Sequence, residues 1–419
     1  MQKFLLLLLF FPLLSFSQQE SITVMHYNVL NYGNVTSYCT TQNNNIQDKD
    51  NALSVIIEYT NPDIFTVNEV GSSNFAQERI LNNILNTNGR NYYAMGNVVN
   101  ASGGTIDNML YYDSRKFALS EQDVISTSIR DIDIYKLYFK AQDLSTTQDT
   151  AFLTCFVTHL KAGSSSSDQQ LRSSMTASMM SYIENNMAPG NFLLLGDLNL
   201  KTSAEQAYQN VINYNNTAYR FYDPIATPGS WNNSSSYADI HTQSTHYSSN
   251  GCASGGGLDD RFDFIMISGH IQNQTDHFTY QNNSYAALGN DGQHFNDAIN
   301  YNGNSSVPSN VLNALYTMSD HLPVMMNLIV DQQLNTNHLV NPDDIIIQNP
   351  VENTIQIDLG SASIRSINMY SLMGQLLAND QHHYSGNLEM NVSHLSKGLY
   401  ILELITDGNQ KIRKKIYIH

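Results

Sequence analysis

The stretch Phe192-Leu-Leu-Leu-Gly-Asp-Leu-Asn199 decides the fold. Its first four residues are apolar, which is typical of a strand buried on both faces, and polar groups follow at Asp197 and Asn199. A carboxylate at the end of a buried strand is costly unless it is paired or bound to a metal. The stretch therefore predicts a central strand that delivers polar side chains to a site at the edge of a sheet.

Five further apolar segments carry polar side chains at one end in the same way. The residues at these ends are Asn28, Glu69, His159, Asp263 and the pair Asp320 and His321. Taken singly, a strand-end Asp or Asn is more often a turn or a helix cap than a catalyst. Several such ends brought together would form the oxygen-rich pocket that a hard cation such as Mg²⁺ needs.

Strands and helices alternate between residues 21 and 330, which predicts an α/β domain. The clearest helical period lies in Gln169–Met187, and we interpret its stripe of methionines as core rather than as a ligand surface. A second helix is expected to begin with Asp50 as its N-cap. The long Asn/Ser/Gly-rich loops Thr227–Leu258 and Gln281–Asn310 are expected to be functional or mobile.

The composition excludes two broad classes of protein. The 419 residues include 25 Tyr and 16 Phe, enough aromatic side chains to fill a core, so a wholly disordered chain is excluded. Lys and Arg number 20 against 37 Asp and Glu, which gives a formal net charge of −17. A protein that holds nucleic acid mainly through a basic surface is therefore excluded, whereas a metal enzyme that acts on phosphates is not.

The start of the chain predicts export. Residues 1–18 combine a basic residue with an apolar run too short to span a bilayer, which indicates a secretory signal peptide. No later stretch is long and apolar enough for a membrane span, so we expect an extracytoplasmic protein without one. In that oxidising compartment the sequence leaves open a disulfide between Cys39 and Cys252, while Cys155, in an apolar run, is expected to be a buried thiol.

The last part of the chain, residues 345–419, is electrically neutral, because its six basic and six acidic residues balance. It follows a polar segment, residues 331–344, that is interpreted as a linker, and its alternating apolar residues predict a small all-β domain. The segment resembles the C-terminal sorting domain of the type IX secretion pathway of Bacteroidetes. The matching features are Asn349-Pro350, INMYSLMGQ at Ile367–Gln375, VSHLSKGLY at Val392–Tyr400 and the tail Lys411–His419.

The resemblance implies that the type IX secretion machinery exports the chain across the outer membrane and removes this segment. The protein would then be secreted or attached to the cell surface. On the pattern of residues alone, an ordinary carbohydrate-binding or adhesive β-sandwich is the alternative interpretation of residues 345–419.

Residues 19–330 resemble the endonuclease/exonuclease/phosphatase superfamily, the deoxyribonuclease-I-like fold. The matching stretches, in chain order, are Tyr27–Val29, Asn68–Val70, Thr158–Leu160, Gly196–Asn199, Arg261–Ile265 and Ser319–Val324. The resemblance implies a four-layered α/β sandwich, in which two mixed β-sheets are flanked by helices. Together the motifs are specific for the superfamily but not for a substrate.

The resemblance also implies a metal site. Asn28, Glu69 and Asp320 would hold a catalytic Mg²⁺ or Mn²⁺, and an additional Ca²⁺ is left open. One departure concerns Gly71, because deoxyribonuclease-like members often carry Arg at this position, two residues after the metal-binding Glu. Lys161 follows a matching stretch and is a candidate contact to substrate phosphate, with a solvated surface lysine as the alternative.

The remaining matching residues are assigned catalytic roles by the same resemblance. Asp197 and Asn199 would position or activate the attacking water. His321, held by Asp263, would be the general base or a phosphate-binding cation, and His159 would stabilise the charged phosphoryl oxygens. The sequence does not decide whether His321 or Asp197 is the base.

These expectations describe a secreted, divalent-metal-dependent phosphodiester hydrolase. The leading interpretation is a monomeric extracellular nuclease that cleaves DNA or RNA by in-line attack of an activated water and takes nucleic acid as a substrate without sequence specificity. The alternative is a lipid-headgroup phosphodiesterase of the sphingomyelinase kind or a small-substrate phosphatase, which the acidic charge favours modestly. A non-catalytic surface binding protein is a third interpretation, against which the complete set of site residues argues.

Overall fold

The structure of the protein is a computed structural model. The structure describes residues 19–142, 144, 145, 149–331, 342–380, 382, 384–406 and 410–419. The chain divides into two compact units, Met1–Leu334 and Asn335–His419. The proposed signal peptide, residues 1–18, and most of the proposed linker, residues 332–341, lie outside the described residues.

The first unit contains two mixed sheets. In chain order its strands are β1 Gln19–Tyr32, β2 Ile64–Gly71, β3 Tyr93–Met95, β4 Ile106–Asp113, β5 Phe117–Ile125, β6 Ile132–Phe139, β7 Phe152–His159, β8 Phe192–Asp197, β9 Phe221–Tyr222, β10 Asp263–Ser268, β11 Phe278–Tyr280, β12 Ala286–Ala287 and β13 Val324–Asp331. The first sheet has the order β11-β13-β1-β2-β4-β3, with β12 also paired to β13. The second has the order β5-β6-β7-β8-β10-β9.

Each sheet has a parallel pair at its centre, β1 with β2 and β7 with β8, and antiparallel neighbours on both sides. The carboxyl ends of the four parallel strands therefore lie at the same end of each sheet as the starts of β4, β6, β10 and β13. This arrangement explains why the sequence places polar groups after some strands and before others.

Helices cover the outer faces of both sheets. They are α1 Ile46–Thr60, α2 Asn74–Ile80, α3 Ser166–Asn186, α4 Gln206–Ile212, α5 Gly269–Asn273 and α6 Ser309–Met318, with a π-helical turn at Leu81–Leu85 and 3₁₀ turns at Thr217–Tyr219 and Ser235–Ile240. One apolar core fills the space between α1, α6 and the first sheet, a second lies between the sheets, and a third lies between the second sheet, α3 and α4. These four layers confirm the predicted fold class.

Local sequence explains where the longest helices begin. The side chain of Asn45 accepts hydrogen bonds from the backbone N–H groups of Gln47 and Asp48 and so caps α1. The prediction that Asp50 is the cap was wrong, because Asp50 lies inside α1 and is held by Tyr32 and Arg79. The methionine stripe of α3 is buried as predicted, and Cys155 is a buried free thiol.

The second unit is a separate all-β structure. Its strands are β14 Ile346–Ile347, β15 Thr354–Ser371, β16 Leu376–Asp380, β17 Tyr384–Asn391, β18 Gly398–Thr406 and β19 Lys411–Ile418, after a 3₁₀ turn at Pro342–Asp344. All the pairings of these strands are antiparallel. Alternating apolar residues from β15, β18 and β19 form its core, which is the pattern that the sequence predicted.

Candidate active site

Eight of the side chains predicted to form a site come from strand ends of both sheets. Asn28 and Glu69 lie on β1 and β2, and Asp320 and His321 lie just before β13 in the first sheet. His159 ends β7, Asp197 ends β8, Asn199 follows β8 and Asp263 begins β10 in the second sheet. Direct contacts connect Asn28, Glu69, His159, Asp197, Asp263 and His321 across the gap between the sheets. We call these six residues the catalytic cluster.

Irregular backbone directs the side chain of Glu69 into the cluster. It has a φ of 61°, and the ladders of β2 with β1 and with β4 both shift register near it, as at a β-bulge. Its Oε1 accepts a hydrogen bond from Asn28 Nδ2 at 3.1 Å. Its Oε2 accepts from the backbone N and the side-chain Nδ2 of Asn31, at 3.1 and 3.2 Å. The carboxylate is therefore fixed by three donors before any cation or substrate is present.

Asp197 reaches the cluster because β7 and β8 approach closely at Gly196. A Cβ on Gly196 would lie 1.9 Å from the carbonyl oxygen of Thr158, so this position requires glycine. The backbone N–H of Asn199 donates to Asp197 Oδ1 at 2.9 Å, and Asn28 Nδ2 donates to Oδ2 at 3.1 Å. Burial, together with the charges of Asp263 and Glu69, raises the pKa of Asp197 to about 7.

His321 is oriented by Asp263, whose Oδ2 lies 2.8 Å from the ring Nδ1. This contact points Nε2 toward Asp197 Oδ2, at 3.7 Å. Burial lowers the pKa of His321, but Asp263, Asp197 and Asp320 outweigh that effect and raise the pKa well above its usual value. Nε2 also lies 2.7 Å from the side-chain amide of Gln243, which comes from the long loop before β10.

His159 differs from His321 in its charge. Its Nε2 lies 3.8 Å from Glu69 Oε1 and 3.5 Å from Asp197 Oδ2. Burial, with Arg130 and His321 nearby, lowers the pKa of His159 well below its usual value. The ring is therefore neutral, and it can offer either a metal-binding lone pair or an N–H donor to a phosphoryl oxygen.

The donor set fits a divalent cation. One ligand atom each from Glu69, His159 and Asp197 lies within 4.8 Å of the others. Asp320 Oδ1 is buried without a hydrogen-bond partner, which is a further free oxygen near the cluster. Asn28 directs its Nδ2 at the carboxylates, while its Oδ1 accepts from the backbone N of Leu30. A ligand role for Asn28 therefore requires its amide to rotate, and that role stays a prediction.

Two of the predicted residues are occupied elsewhere. The side chain of Asn199 donates to the carbonyl oxygen of Leu160 at 3.2 Å, so it joins the ends of β7 and β8. Lys161 is ion-paired with Asp168 at 3.1 Å and donates to the carbonyl oxygen of Ala162. The roles of Asn199 in positioning water and of Lys161 in binding phosphate stay predictions.

Cys39 and Cys252 form a disulfide, with their Cα atoms 4.5 Å apart. The bridge joins the loop after β1 to the loop before β10. That second loop carries Gln243, which contacts His321, and Ser254, whose backbone N donates to Asp320 at 2.8 Å.

Sequence reasoning missed several residues that support the cluster. Asn68 accepts from the backbone N of Asp197 at 2.9 Å, and its place beside Glu69 in a matching stretch was an available signal. Lys49 is buried and donates to the carbonyl oxygens of Val29 and Leu30 at the end of β1. Asn31, Gln243 and Arg130 lie in irregular or loop segments and carried no such signal.

Comparison with known proteins identifies the second unit. Residues 347–419 match the secretion system C-terminal sorting domain. The predicted resemblance of this part of the chain is thereby confirmed. A sorting domain of this kind directs type IX secretion, so the protein is secreted or attached to the cell surface. Among the described residues, no helix has both the length and the apolar character to cross a membrane.

No curated protein matches this chain. Solved structures of low sequence identity are similar to about three quarters of this chain, and two of them are endonuclease/exonuclease/phosphatase family proteins. One of this family from Bacteroides thetaiotaomicron is 16% identical, covering 75% of this chain and 97% of its own, with a TM-score of 0.45. TDP2 of D. rerio, complexed with a single-strand DNA product, is 13% identical, covering 74% and 98%, with a TM-score of 0.46. The mannosyl-6-phosphatase Bt3783 of Bacteroides thetaiotaomicron is 15% identical, covering 73% and 99%, with a TM-score of 0.43.

Proposed function

We propose that residues 19–331 form a divalent-metal-dependent phosphoesterase. The observation that carries the proposal is the catalytic cluster, which places three carboxylates, Glu69, Asp197 and Asp263, in contact with the imidazoles of His159 and His321. Three such carboxylates at the ends of buried strands are costly without a compensating cation. Mg²⁺ or Mn²⁺ would bind Glu69, His159, Asp197 and Asp320, and when bound it would polarise the phosphoryl group.

The protein's own residues supply the proton chemistry. His321 and Asp197 face each other at 3.7 Å and both have raised pKa values, so they hold protons as one coupled pair. We assign to this pair the proton of the attacking water. Asp263 fixes the ring of His321, and the Asn28 side chain and the Asn199 backbone fix the Asp197 carboxylate.

More narrowly, we propose a secreted nuclease that acts on DNA or RNA. The site lies at the strand ends of both sheets, and the chemistry of the cluster suits a phosphodiester without requiring a covalent intermediate. A lipid-headgroup or small-molecule phosphoester is the second candidate substrate, because Lys161 and three other basic side chains are ion-paired within the protein. Lys161 pairs with Asp168, Arg115 with Asp113, Lys116 with Glu20 and Asp63, and Arg172 with Glu205.

The test is hydrolysis of plasmid DNA, RNA, sphingomyelin and a sugar phosphate by the full chain, in Mg²⁺, Mn²⁺ or EDTA. We expect cleavage of nucleic acid in Mg²⁺ or Mn²⁺ and none in EDTA. Glu69→Gln should abolish cleavage, whereas Glu78→Gln, the same change at an exposed position of α2, should leave it intact. Cleavage of only sphingomyelin or sugar phosphate would replace the nuclease with the second candidate. No hydrolysis of any substrate by a folded protein would contradict a phosphoesterase.

A further inference from the structure

The end of β1 has an unusual backbone conformation. Leu30 and Asn31 have φ angles of 41° and 50°, in the left-handed region that residues other than glycine rarely adopt. A conformation of this kind costs free energy, so the contacts around it must hold it in place. Asn28 lies just before this segment, and the candidate active site therefore depends on what those contacts are.

Two peptide groups of this segment point their N–H ends into the candidate active site. The N–H of Leu30 donates to Asn28 Oδ1 at 3.0 Å, which leaves Asn28 Nδ2 facing Glu69 Oε1. The N–H of Asn31 donates to Glu69 Oε2, the other oxygen of that carboxylate, at 3.1 Å. The two peptide groups therefore hold both of the side chains that β1 and β2 bring to the catalytic cluster.

The carbonyl ends of the same two peptide groups meet one buried lysine. The N–H of Leu30 shares a peptide group with the carbonyl of Val29, and the N–H of Asn31 shares one with the carbonyl of Leu30. In a trans peptide group the C=O and the N–H point in opposite directions. Lys49 Nζ donates to the Val29 oxygen at 2.7 Å and to the Leu30 oxygen at 2.6 Å. One side chain thus holds the far end of both peptide groups.

The surroundings of Lys49 do not explain a lysine in any other way. It lies in the first turn of α1, where a cation opposes the helix dipole, and it is 2% exposed. Burial lowers its pKa to about 7, and the charges of Asp320 and Glu69 oppose that effect. Among the ion pairs of the described residues, none involves Lys49. Its contacts with the two carbonyls are therefore what offsets its burial.

We propose that Lys49 is a positioning residue for the metal site of the catalytic cluster. By holding the carbonyl oxygens of Val29 and Leu30, it directs the N–H groups of the same peptide groups at Asn28 and Glu69. A hydrogen bond to the carbonyl end of a peptide group also polarises that group and strengthens its N–H as a donor. Lys49 thereby keeps the Glu69 carboxylate oriented for a divalent cation without touching the cation or the substrate. This inference rests on the metal dependence in the proposed function.

The test compares Lys49→Met with Lys140→Met in the full chain. Methionine keeps an unbranched apolar side chain but removes the N–H donors. Lys140 is a matched control, because it is exposed and its Nζ also donates to a backbone carbonyl, that of Ser114. Calorimetric titration gives the affinity for Mn²⁺ at the site that Glu69→Gln removes. Amide hydrogen exchange in EDTA reports on Leu30 and Asn31 without any metal.

We expect Lys49→Met to weaken Mn²⁺ binding by roughly ten- to a hundredfold, the usual effect of losing a residue that supports a metal ligand. The amides of Leu30 and Asn31 should also exchange faster, whereas Lys140→Met should match the parent in both measurements. Asn44 Nδ2 donates to the carbonyl oxygens of Leu30 and Asn31 as well, at 3.2 and 3.1 Å. Asn44→Ala should have a smaller effect in the same direction, which covers the case in which Lys49→Met does not fold.

The outcomes separate this inference from the proposed function. Parent-like Mn²⁺ affinity and amide exchange in both Lys49→Met and Asn44→Ala would overturn the inference, whatever the parent hydrolyses. A lower Tm with unchanged Mn²⁺ affinity would also overturn it, because Lys49 would then support only the fold. Weaker Mn²⁺ binding in Lys49→Met, with no hydrolysis by the parent, would support the inference and contradict the phosphoesterase. A parent that binds no Mn²⁺ would overturn both.

Discussion

The contact between Asp263 and His321 gives the most direct test of the site at the scale of single residues. Asp263→Asn should lower kcat by roughly 10²–10⁴-fold, because the ring of His321 loses both its orientation and its charge partner. Measurement of kcat and Tm together separates this effect from loss of folding. Asp259→Asn, the same change nearby in sequence and outside the cluster, is the control. Equal activity of the two variants would contradict the role of Asp263.

A second prediction concerns the cation that contacts substrate phosphate. Arg130 is half-buried, and burial lowers its pKa. Glu69 and Asp197 partly offset that effect, so the charge of Arg130 acts on the catalytic cluster. Lys161 is instead paired with Asp168. Arg130→Ala should raise KM by roughly tenfold or more, as expected for loss of a charge-assisted contact, and Lys161→Ala should change it less than about twofold. Steady-state kinetics of both variants on one substrate test this prediction. A larger rise in KM for Lys161→Ala than for Arg130→Ala would instead assign the phosphate contact to Lys161.

The pKa of Asp133 predicts how stability depends on pH in EDTA. Asp133 is 2% exposed, and its pKa of about 8 exceeds the ordinary value of 3.8. Between these values the folded state holds a proton that the unfolded state has released, so stability falls as pH rises toward 8. One such proton contributes at most about 1.4 kcal/mol per pH unit. Asp107, Asp131 and Arg130 are the charged groups that face it.

Urea unfolding between pH 5 and pH 8 tests this prediction. Asp133→Asn should flatten the loss of stability with rising pH, and Asp297→Asn, the same change at a half-buried position outside the cavity that Asp133 lines, should not. A slope that is the same in all three proteins would show that Asp133 is ionised throughout this range.

At the residue scale, the sequence singled out strand-end residues that the structure brings together, but it did not predict their contacts. Glu69, Asp197 and His321 were singled out because each follows or precedes an apolar strand, a pattern that is visible without knowing which strands pair. Asn31 and Gln243 were not found, because a bulge and a long loop bring them to the site. Arg130 was missed since a cation in a loop gives no periodic signal.

At the scale of elements, backbone irregularity explains much of what the alternation of residues did not predict. Leu30, Asn31 and Glu69 all have positive φ, between 41° and 61°. Each such position costs roughly 1–3 kcal/mol, which the surrounding hydrogen bonds must offset. A β-bulge shifts by one residue the alternation of side chains between the two faces of a strand. The alternating pattern in the sequence therefore locates β1 and β2 but not the direction in which their last side chains point.

Helix starts show a related limit. Asn45 and Asp50 are both good capping residues, and only the position of the chain entering α1 decides that Asn45 is the cap. The short strands β9, β11 and β12 were also not predicted, because two or three residues carry too little pattern and depend on pairing with a longer neighbour.

The disulfide gives a prediction at the scale of elements. It joins two loops that are 213 residues apart in the sequence. Removing a bridge of this kind costs about 2–5 kcal/mol in stability. The double variant Cys39→Ser, Cys252→Ser should therefore unfold at a lower denaturant concentration than the parent. Reductant should destabilise the parent but not the double variant, and because both retain Cys155, a response of both would trace the effect to that thiol.

At the scale of the whole molecule, the four-layered architecture could be predicted from the sequence because many weak signals agree on it. Alternating strands and helices, apolar runs and their polar ends are spread over residues 21–330, so the loss of any one changes little. The boundaries of the signal peptide, linker and domains depend on few residues each and stay predictions.

The net charge of −17 predicts an unusual response to salt if the substrate is a nucleic acid. Long-range repulsion slows the encounter with a polyanion, and salt screens it, since the Debye length falls from about 30 Å at 0.01 M to about 8 Å at 0.15 M. As the salt concentration rises over this range, kcat/KM for DNA should rise. In contrast, kcat/KM for a small phosphoester with an uncharged leaving group should change little. A steep fall for DNA would indicate binding through a local basic surface instead.

The bond between Cys39 and Cys252 has a consequence for survival among extracellular proteases. It closes a covalent ring that contains β2 to β9, and with them Glu69, His159 and Asp197. A first cut in any loop of this ring leaves a nicked but single molecule, whose fragments cannot diffuse apart. The loop between β12 and α6 lies outside the ring, so one cut there leaves Asp320 and His321 without a covalent link to Glu69, His159 and Asp197. Loops on this side of the ring are therefore more vulnerable points of the catalytic unit than loops within it.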